Sequence, residues 1–162
     1  MELWDAYDKE FNKIPGVILV RGETIPEGVY HLVCEIIVKN VDGEYLIMQR
    51  DFNKHFGGLW ELTSGGSALK GETPLECAKR ELKEETGIIV TDLKEIARII
   101  HDGHRSLYVV YFCITNWDKN KIVLQKGETI DYKWIDQKML FEMEDDLIAS
   151  KRTLNLLKEY KL

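Results

Sequence analysis

A mixed α/β or α+β fold is predicted for this chain by three features of its sequence. Short apolar runs with strand-like alternation are separated by turn signals through most of the chain, and two segments have helical spacing instead. No repeat, low-complexity linker or change of composition marks a second domain, and 162 residues fit one domain. We therefore expect a single domain that spans residues 1–162.

The run Tyr30–Val38 is predicted to be an internal strand because it is apolar on much of both faces. Asp42-Gly43 indicates a hairpin turn, since both residues tolerate positive φ, and Tyr45–Gln49 is the returning strand. The other strand candidates are Val17–Arg21, Ile96–Ile100, Leu107–Thr115 and Ile122–Gln125.

The segment Pro74–Thr86 is predicted to be a helix with a signal at each end. Thr73 is the expected N-cap of a capping box in which its side chain and that of Glu76 bind each other's backbone N–H. Gly87 stands where a left-handed residue would end the helix. Apolar residues at helical spacing then direct one face of this helix to a core.

A second helix is expected from about 138 to 160. Its apolar residues predict a face that packs on the sheet, with a homodimer contact as the alternative; they are Leu147, Ile148, Leu154, Leu156 and Leu157.

Composition excludes several classes of protein. The chain has 22 Lys and Arg against 28 Asp and Glu, and this net charge of −6 argues against a broad nucleic-acid surface. A hydrophobic content of 44% excludes general disorder, and no apolar run approaches the roughly 20 residues of a membrane span. The N-terminus lacks the pattern of a secretory signal, and the three cysteines are widely spaced. We therefore expect a cytoplasmic protein without disulfides.

Three glutamates of the first predicted helix carry the clearest chemical signal. Glu81, Glu84 and Glu85 are spaced i, i+3 and i+4, so their carboxylates crowd one helical face at a cost to helix stability. Mg²⁺ would explain the arrangement, because it prefers carboxylate oxygens and keeps positions for water and phosphate. Arg80 can hold one of these glutamates in place. A solvated acidic face is the alternative for the three glutamates taken alone.

The surrounding residues favour the metal site. A glycine-rich loop, Gly65 to Glu72, precedes the helix and permits close backbone approach to an ion or phosphate. Gly66, Glu72 and the run from Arg80 to Ile88 match every fixed position of the Nudix box, so the chain resembles the Nudix hydrolase superfamily. Trp60-Glu61 and the Glu128…Trp134 pair also resemble that family, and the resemblance covers at least residues 30–134.

The resemblance implies an α/β/α sandwich around a mixed sheet, with the box as a loop–helix–loop. It places the domain core at about 30–136, N-terminal strands within 1–29 and the C-terminal helix beyond. It implies hydrolysis of a nucleoside diphosphate linked to a further group, with Mg²⁺ or Mn²⁺ as cofactor. The implied partner is thus a small nucleotide substrate.

The resemblance also implies roles for individual residues. Glu81, Glu84, Glu85 and the Gly66 carbonyl are the implied metal ligands, and the glutamates are implied to be catalytic. Glu72 and Arg80 are implied to orient this cluster. The general base stays open between Glu81 and Glu128.

Two alternatives to hydrolysis are weighed. The N-terminal stretch and the run after Tyr30 resemble the branch related to isopentenyl-diphosphate isomerase, but no cysteine lies between Trp60 and Gly66, where the isomerases have one. Two positions also depart from the common hydrolase pattern. Leu69 stands where many hydrolases have a further acidic residue, and Thr63-Ser64 stands in place of the usual proline before the glycine pair. A non-catalytic sensor of nucleotide diphosphates is the second alternative, and the complete box argues against it.

Other polar residues give weaker signals. Arg50 is a candidate phosphate ligand because a guanidinium matches phosphate oxygens bidentately, and Lys54 is a weaker one. His101 and His104 flank Asp102-Gly103, which predicts a polar turn and not a metal site.

Overall fold

The computed structural model describes residues 1–160, and Lys161 and Leu162, which end the predicted domain, lie outside the described residues. The strands are β1 (Leu3–Tyr7), β2 (Lys13–Val20), β3 (His31–Asn40), β4 (Tyr45–Arg50), β5 (Trp60–Glu61), β6 (Thr63–Ser67), β7 (Lys94–His101), β8 (Ser106–Thr115) and β9 (Thr129–Ile135). The helices are α1 (Pro74–Thr86), α2 (Gln137–Phe141) and α3 (Lys151–Glu159).

Strand β3 is the centre of a mixed seven-stranded sheet, which confirms the predicted α+β class. It pairs in parallel with β8 over ten residues and antiparallel with β6 and β4. The sheet order is β5-β4-β3-β8-β7, with β6 added to β3 and β9 to β4. Cys34 and Ile36 face the core under α1, whereas Ile37 faces a second core under α3. Because both faces of β3 are covered, the strand is apolar on both sides, as expected.

Helix α1 begins and ends where the sequence predicts. The hydroxyl of Thr73 accepts the Glu76 N–H at 3.2 Å, and the Glu76 carboxylate accepts the Thr73 N–H at 3.1 Å. Gly87 adopts φ 80° and its N–H donates to the Lys83 carbonyl. The helix buries Leu82 completely against the sheet, and this packing determines which face carries the glutamates.

Strands β1 and β2 form a separate antiparallel pair, which we call the N-terminal hairpin. It has a small core of its own around Trp4 and Leu19. Tyr7 and Tyr30 exchange two backbone hydrogen bonds of 2.9 Å, which attach the hairpin to the start of β3. The apolar pattern of the sequence indicated only the second of these strands, whereas the resemblance implied strands within 1–29 without bounds for each.

The single C-terminal helix expected at about 138–160 is wrong, because the segment forms two helices, α2 and α3. The backbone between the two helices pairs with the backbone of Trp60. The Leu147 carbonyl accepts the Trp60 N–H at 2.8 Å, and the Ala149 N–H donates to the Trp60 carbonyl at 2.7 Å. These long-range bonds replace helical ones. Leu154 and Leu157 of α3 are buried against the sheet, as the packing interpretation predicted.

The strand expected at Ile122–Gln125 is also wrong, since this segment has no regular structure. The Val123 N–H donates to the Thr86 carbonyl at 2.9 Å, so the segment lies against the end of α1 instead of joining the sheet. Its apolar pattern reflects that packing: Ile122 is buried there.

In the described part of the chain, no helix is long and apolar enough to cross a membrane. Cys34, Cys77 and Cys113 are buried and free.

Thr73→Ala should lower the free energy of unfolding by about 1 kcal/mol, because it removes the hydroxyl that caps α1. Thr73→Ser keeps that acceptor and is the matched control. Chemical denaturation of the three proteins measures the difference, and equal stabilities of the alanine and serine variants would contradict the role of the cap.

Candidate active site

A cleft of about 400 Å³ lies between α1 and the end of β6, and we call it the acidic cleft. Helix α1 contributes Glu81, Glu84 and Glu85, β6 contributes Gly66, and the loop before β9 contributes Glu128. These five residues, which the sequence singles out from distant segments, therefore line one cavity.

Arg80 contacts three carboxylates of the region at once. Its Nε and Nη2 donate to the two oxygens of Glu72 at 2.6 and 3.0 Å, a bidentate pair. Its Nη1 donates to Glu81 at 2.6 Å and to Glu84 at 3.3 Å. The hydrogen bond with Glu72 is the main cause that raises the pKa of Arg80. The guanidinium thus links the loop to two of the cluster glutamates.

Glu72 fixes the loop that leads into α1. It accepts the Leu69 N–H at 2.9 Å as well as both bonds from Arg80. Burial acts to raise the pKa of Glu72, but these hydrogen bonds outweigh it and the pKa is lowered. Glu72 is therefore ionised and holds Arg80 in position, a geometry that fits the orienting role expected for both residues.

Glu85 is the most perturbed acid of the cleft. Burial, together with the charges of Glu61 and Glu81, raises its pKa to about 8, against the stabilising hydrogen bond from the Gly65 N–H at 3.1 Å. The ionised form thus lacks sufficient compensating positive charge.

Glu81 lies directly against the backbone of β6. A Cβ at Gly66 would come within 2.6 Å of the Glu81 Oε1, so only glycine permits this approach. Burial raises the pKa of Glu81, with Arg80 opposing the shift. Gly66 thereby brings a backbone segment and a carboxylate together.

Glu128 also lines the cleft, and its carboxylate forms an ion pair with Lys54. Both candidate bases are therefore paired with a cation, Glu81 with Arg80 and Glu128 with Lys54.

Arg50 is not brought to the acidic cleft. Its guanidinium donates to Glu61 at 2.8 Å and to the His55 carbonyl at 2.8 Å, and it lines a separate cavity beside the start of α3. The cation that reaches the cleft from this loop is Lys54. Arg50 instead partly neutralises Glu61, whose charge acts on Glu85.

The donors of the cleft fit a hard divalent cation. They are carboxylate and carbonyl oxygens, the ligands that Mg²⁺ and Mn²⁺ prefer. Glu85 and Glu81 have raised pKa values because their charges are buried near other acids, and a cation would relieve that repulsion. Within residues 1–160 no three acidic, histidine or cysteine side chains converge on one point, and the Glu81 carboxylate contacts Arg80.

His101 and His104 stand at the polar turn that the sequence predicts. Their rings stack at 4.1 Å, and the Arg105 N–H donates to the Asp102 carbonyl within the turn. No third ligand joins them among the described residues.

Three further residues of the cleft carry no clear sequence signal. Lys54 is only a weak phosphate candidate on sequence grounds, and Glu2 and Arg21 come from the N-terminal hairpin. Glu2 and Arg21 lie far along the chain from the box, whereas Lys54 lies in the loop that precedes β5. The one signal that could have indicated the N-terminal hairpin is the resemblance of that stretch, Arg21 included, to isomerase-like relatives.

A model of the NUDIX domain matches residues 29–156 of the chain. Two relatives are similar over most of their length. A Nudix hydrolase of Listeria monocytogenes is 31% identical over 141 residues, which cover 86% of this chain and 83% of the relative. The nucleoside triphosphatase NudI of Salmonella arizonae is 30% identical over 136 residues, covering 77% of this chain and 94% of the relative.

A solved structure from Deinococcus radiodurans shares the fold. It superimposes with a TM-score of 0.77 at 16% identity and covers 99% of this chain and all of that one. The similarity therefore includes the N-terminal hairpin and the C-terminal helices as well as the box.

The raised pKa of Glu85 makes stability depend on pH. An ordinary glutamate titrates near 4.5 and Glu85 near 8, so the folded state holds an extra proton between these values. The free energy of unfolding then falls as the pH rises through this window in metal-free buffer. Glu85→Gln removes the ionising group. Between these pH values the free energy of unfolding of the variant should therefore fall less than that of the wild type, with a difference on the order of a few kcal/mol. Chemical denaturation in the presence of a chelator at several pH values measures this, and parallel curves for the two proteins would contradict it.

Proposed function

The chain belongs to the Nudix family and is a hydrolase that acts on phosphoanhydride bonds, and from that premise we propose that it is a divalent-metal-dependent pyrophosphohydrolase of nucleoside diphosphate-linked substrates. The observation that carries this proposal is the set of glutamates on α1 that line the acidic cleft, with Glu85 buried near like charges. The carboxylates of such a site repel one another, and a bound cation would remove that repulsion.

Glu81, Glu84, Glu85 and the Gly66 carbonyl would hold Mg²⁺ or Mn²⁺. When bound, the metal lowers the pKa of a water molecule and neutralises charge on the phosphate oxygens. Hydrolysis of a phosphoanhydride otherwise needs little more than this positioning and charge neutralisation. Glu72 and Arg80 position Glu81 through the bonds of 2.6 Å.

The proton of the attacking water has to pass to a base, and two residues can accept it. Burial raises the pKa of Glu81, which makes it a stronger base than an exposed glutamate. Glu128 lines the same cleft and pairs with Lys54. Lys54 could exchange that pair for a phosphate oxygen, which would free Glu128 to act.

Nucleoside triphosphates are the first substrates to test, because the Salmonella relative is a nucleoside triphosphatase. Dinucleoside polyphosphates, nucleotide sugars and ADP-ribose extend the panel to other nucleoside diphosphate derivatives. We propose action in the cytoplasm, as the free buried cysteines suggest a reducing compartment.

Glu85→Gln should lower kcat about 100-fold or more, because it removes one charge of the metal-holding set while it keeps the side-chain shape. Glu142→Gln, an exposed glutamate outside the cleft, is the matched control and should leave kcat unchanged. Release of phosphate, pyrophosphate or nucleoside monophosphate with Mg²⁺ is measured across the panel. Wild-type turnover in the Glu85 variant would refute the site.

The same panel separates the alternatives to hydrolysis. Binding of nucleotide diphosphates with no turnover of any substrate would favour the sensor. Conversion of isopentenyl diphosphate to its allylic isomer would favour the isomerase.

The choice of base can be read from pH profiles. The variant that lacks the base should lose about 10²- to 10⁴-fold in kcat and also lose the acidic limb of the kcat–pH profile. Glu81→Gln and Glu128→Gln are compared, and only one should lose the limb. Retention of the limb in both variants would exclude both residues as the base.

A further inference from the structure

The acidic cleft has a wall that does not come from the part of the chain matched by the family model. That match begins at residue 29, whereas Glu2 and Arg21 of the N-terminal hairpin line the cleft beside Glu81 and Glu84. The hairpin therefore adds one cation and one anion to the site.

The hairpin is held firmly to the loop that leads into α1. The Lys70 N–H donates to the Leu3 carbonyl and the Gly71 N–H donates to the Asp5 carboxylate, both at 2.8 Å. Trp4 is buried and its ring stacks on His31 at 4.4 Å. Because these contacts do not involve Arg21, the position of the hairpin does not depend on that side chain.

The cations of the cleft differ in how tightly they are engaged. Among the described residues, Arg80 makes hydrogen bonds to three carboxylates, and Lys54 is paired with Glu128. Arg21 has a single ion pair, with Glu2 at 3.1 Å, and 67% of its side chain is exposed. A surface pair of this kind contributes about 0–1 kcal/mol, so the guanidinium can exchange Glu2 for another anion at little cost.

A substrate that carries two phosphate groups meets a surplus of glutamates at this cleft, which repel it. A guanidinium at the rim offsets that repulsion and matches phosphate oxygens bidentately. We propose that Arg21 binds a phosphate group of the substrate, and that Glu2 holds the guanidinium in place until the substrate arrives. This inference rests on the proposed function, since it assumes that a diphosphate occupies the acidic cleft.

Glu2 is itself fixed, because the Trp4 Nε1–H donates to its Oε1 at 2.7 Å while Oε2 faces Arg21. A glutamine at position 2 can still accept the bond from Trp4, but it no longer competes for the guanidinium with a full charge. The two partners of one ion pair are therefore expected to affect binding in opposite directions.

The probe for this inference is methylenediphosphonate, which has a P–C–P bridge that the enzyme cannot hydrolyse, titrated calorimetrically in the presence of Mg²⁺. Arg21→Ala should weaken binding about 10- to 100-fold, the usual range for loss of a hydrogen bond between charged groups. Arg21→Lys should recover part of the loss, and Glu2→Gln should bind as tightly as the wild type or more tightly.

Arg98→Ala is the matched control, because Arg98 forms a similar exposed ion pair with Glu95 on β7, outside the cleft. It should bind the probe like the wild type, and melting temperatures check that all variants fold. On a hydrolysed substrate, Arg21→Ala should raise KM more than it lowers kcat.

The outcomes separate this inference from the proposed function. If the wild type binds the probe and Arg21→Ala binds equally well, the role of Arg21 is refuted while the active site stands. If Glu2→Gln weakens binding as much as Arg21→Ala, the pair only supports the hairpin, and the inference is again refuted. If the wild type neither binds the probe nor hydrolyses any substrate, both proposals fail.

Discussion

The guanidinium of Arg80 contacts Glu72, Glu81 and Glu84, and without it these carboxylates would face one another in a partly buried cleft. Like charges at helical i, i+3 spacing repel, and exclusion of water increases the repulsion. Because Glu72 belongs to the loop and the others to α1, the same cation also links the loop to the helix. The geometry of the acidic cleft therefore depends on one planar donor that can serve several acceptors.

The excess of negative charge that Arg80 does not neutralise is most evident at Glu85, where it makes ionisation of the carboxyl unfavourable. Its carboxyl is buried near Glu61, and the positive charges around it do not restore an ordinary pKa. Lys54 opposes the raised pKa of Glu85 only in part, and Arg50 acts on Glu61 instead; each of these cations has a carboxylate partner of its own. Functional sites commonly retain such destabilising arrangements, since the features that favour a ligand are unfavourable without it. A cation bound beside Glu85, as proposed, would offset this unfavourable burial of charge.

Features that depend on neighbouring residues could be predicted from the sequence. The capping box at Thr73 and the left-handed Gly87 locate both ends of α1, because each acts on the backbone within a few residues of itself. The i, i+3, i+4 spacing likewise determines that Glu81 and Glu85 share a helical face. The prediction that β3 is an internal strand is confirmed for a similar reason, since apolar residues on both faces of a strand indicate that both faces are buried.

Features that depend on distant partners could not be predicted in this way. The backbone of Trp60 pairs with the chain near Ile148, which interrupts a segment whose spacing alone favours one helix. Arg50 and Lys54 belong to neighbouring positions of the chain, and only the path of their loop directs the first to Glu61 and the second to the cleft. The sequence alone thus determined the helix, its acidic face and the family, because these depend on short-range spacing. The tertiary structure decided which cations surround that face, because their positions depend on contacts between segments far apart in the chain.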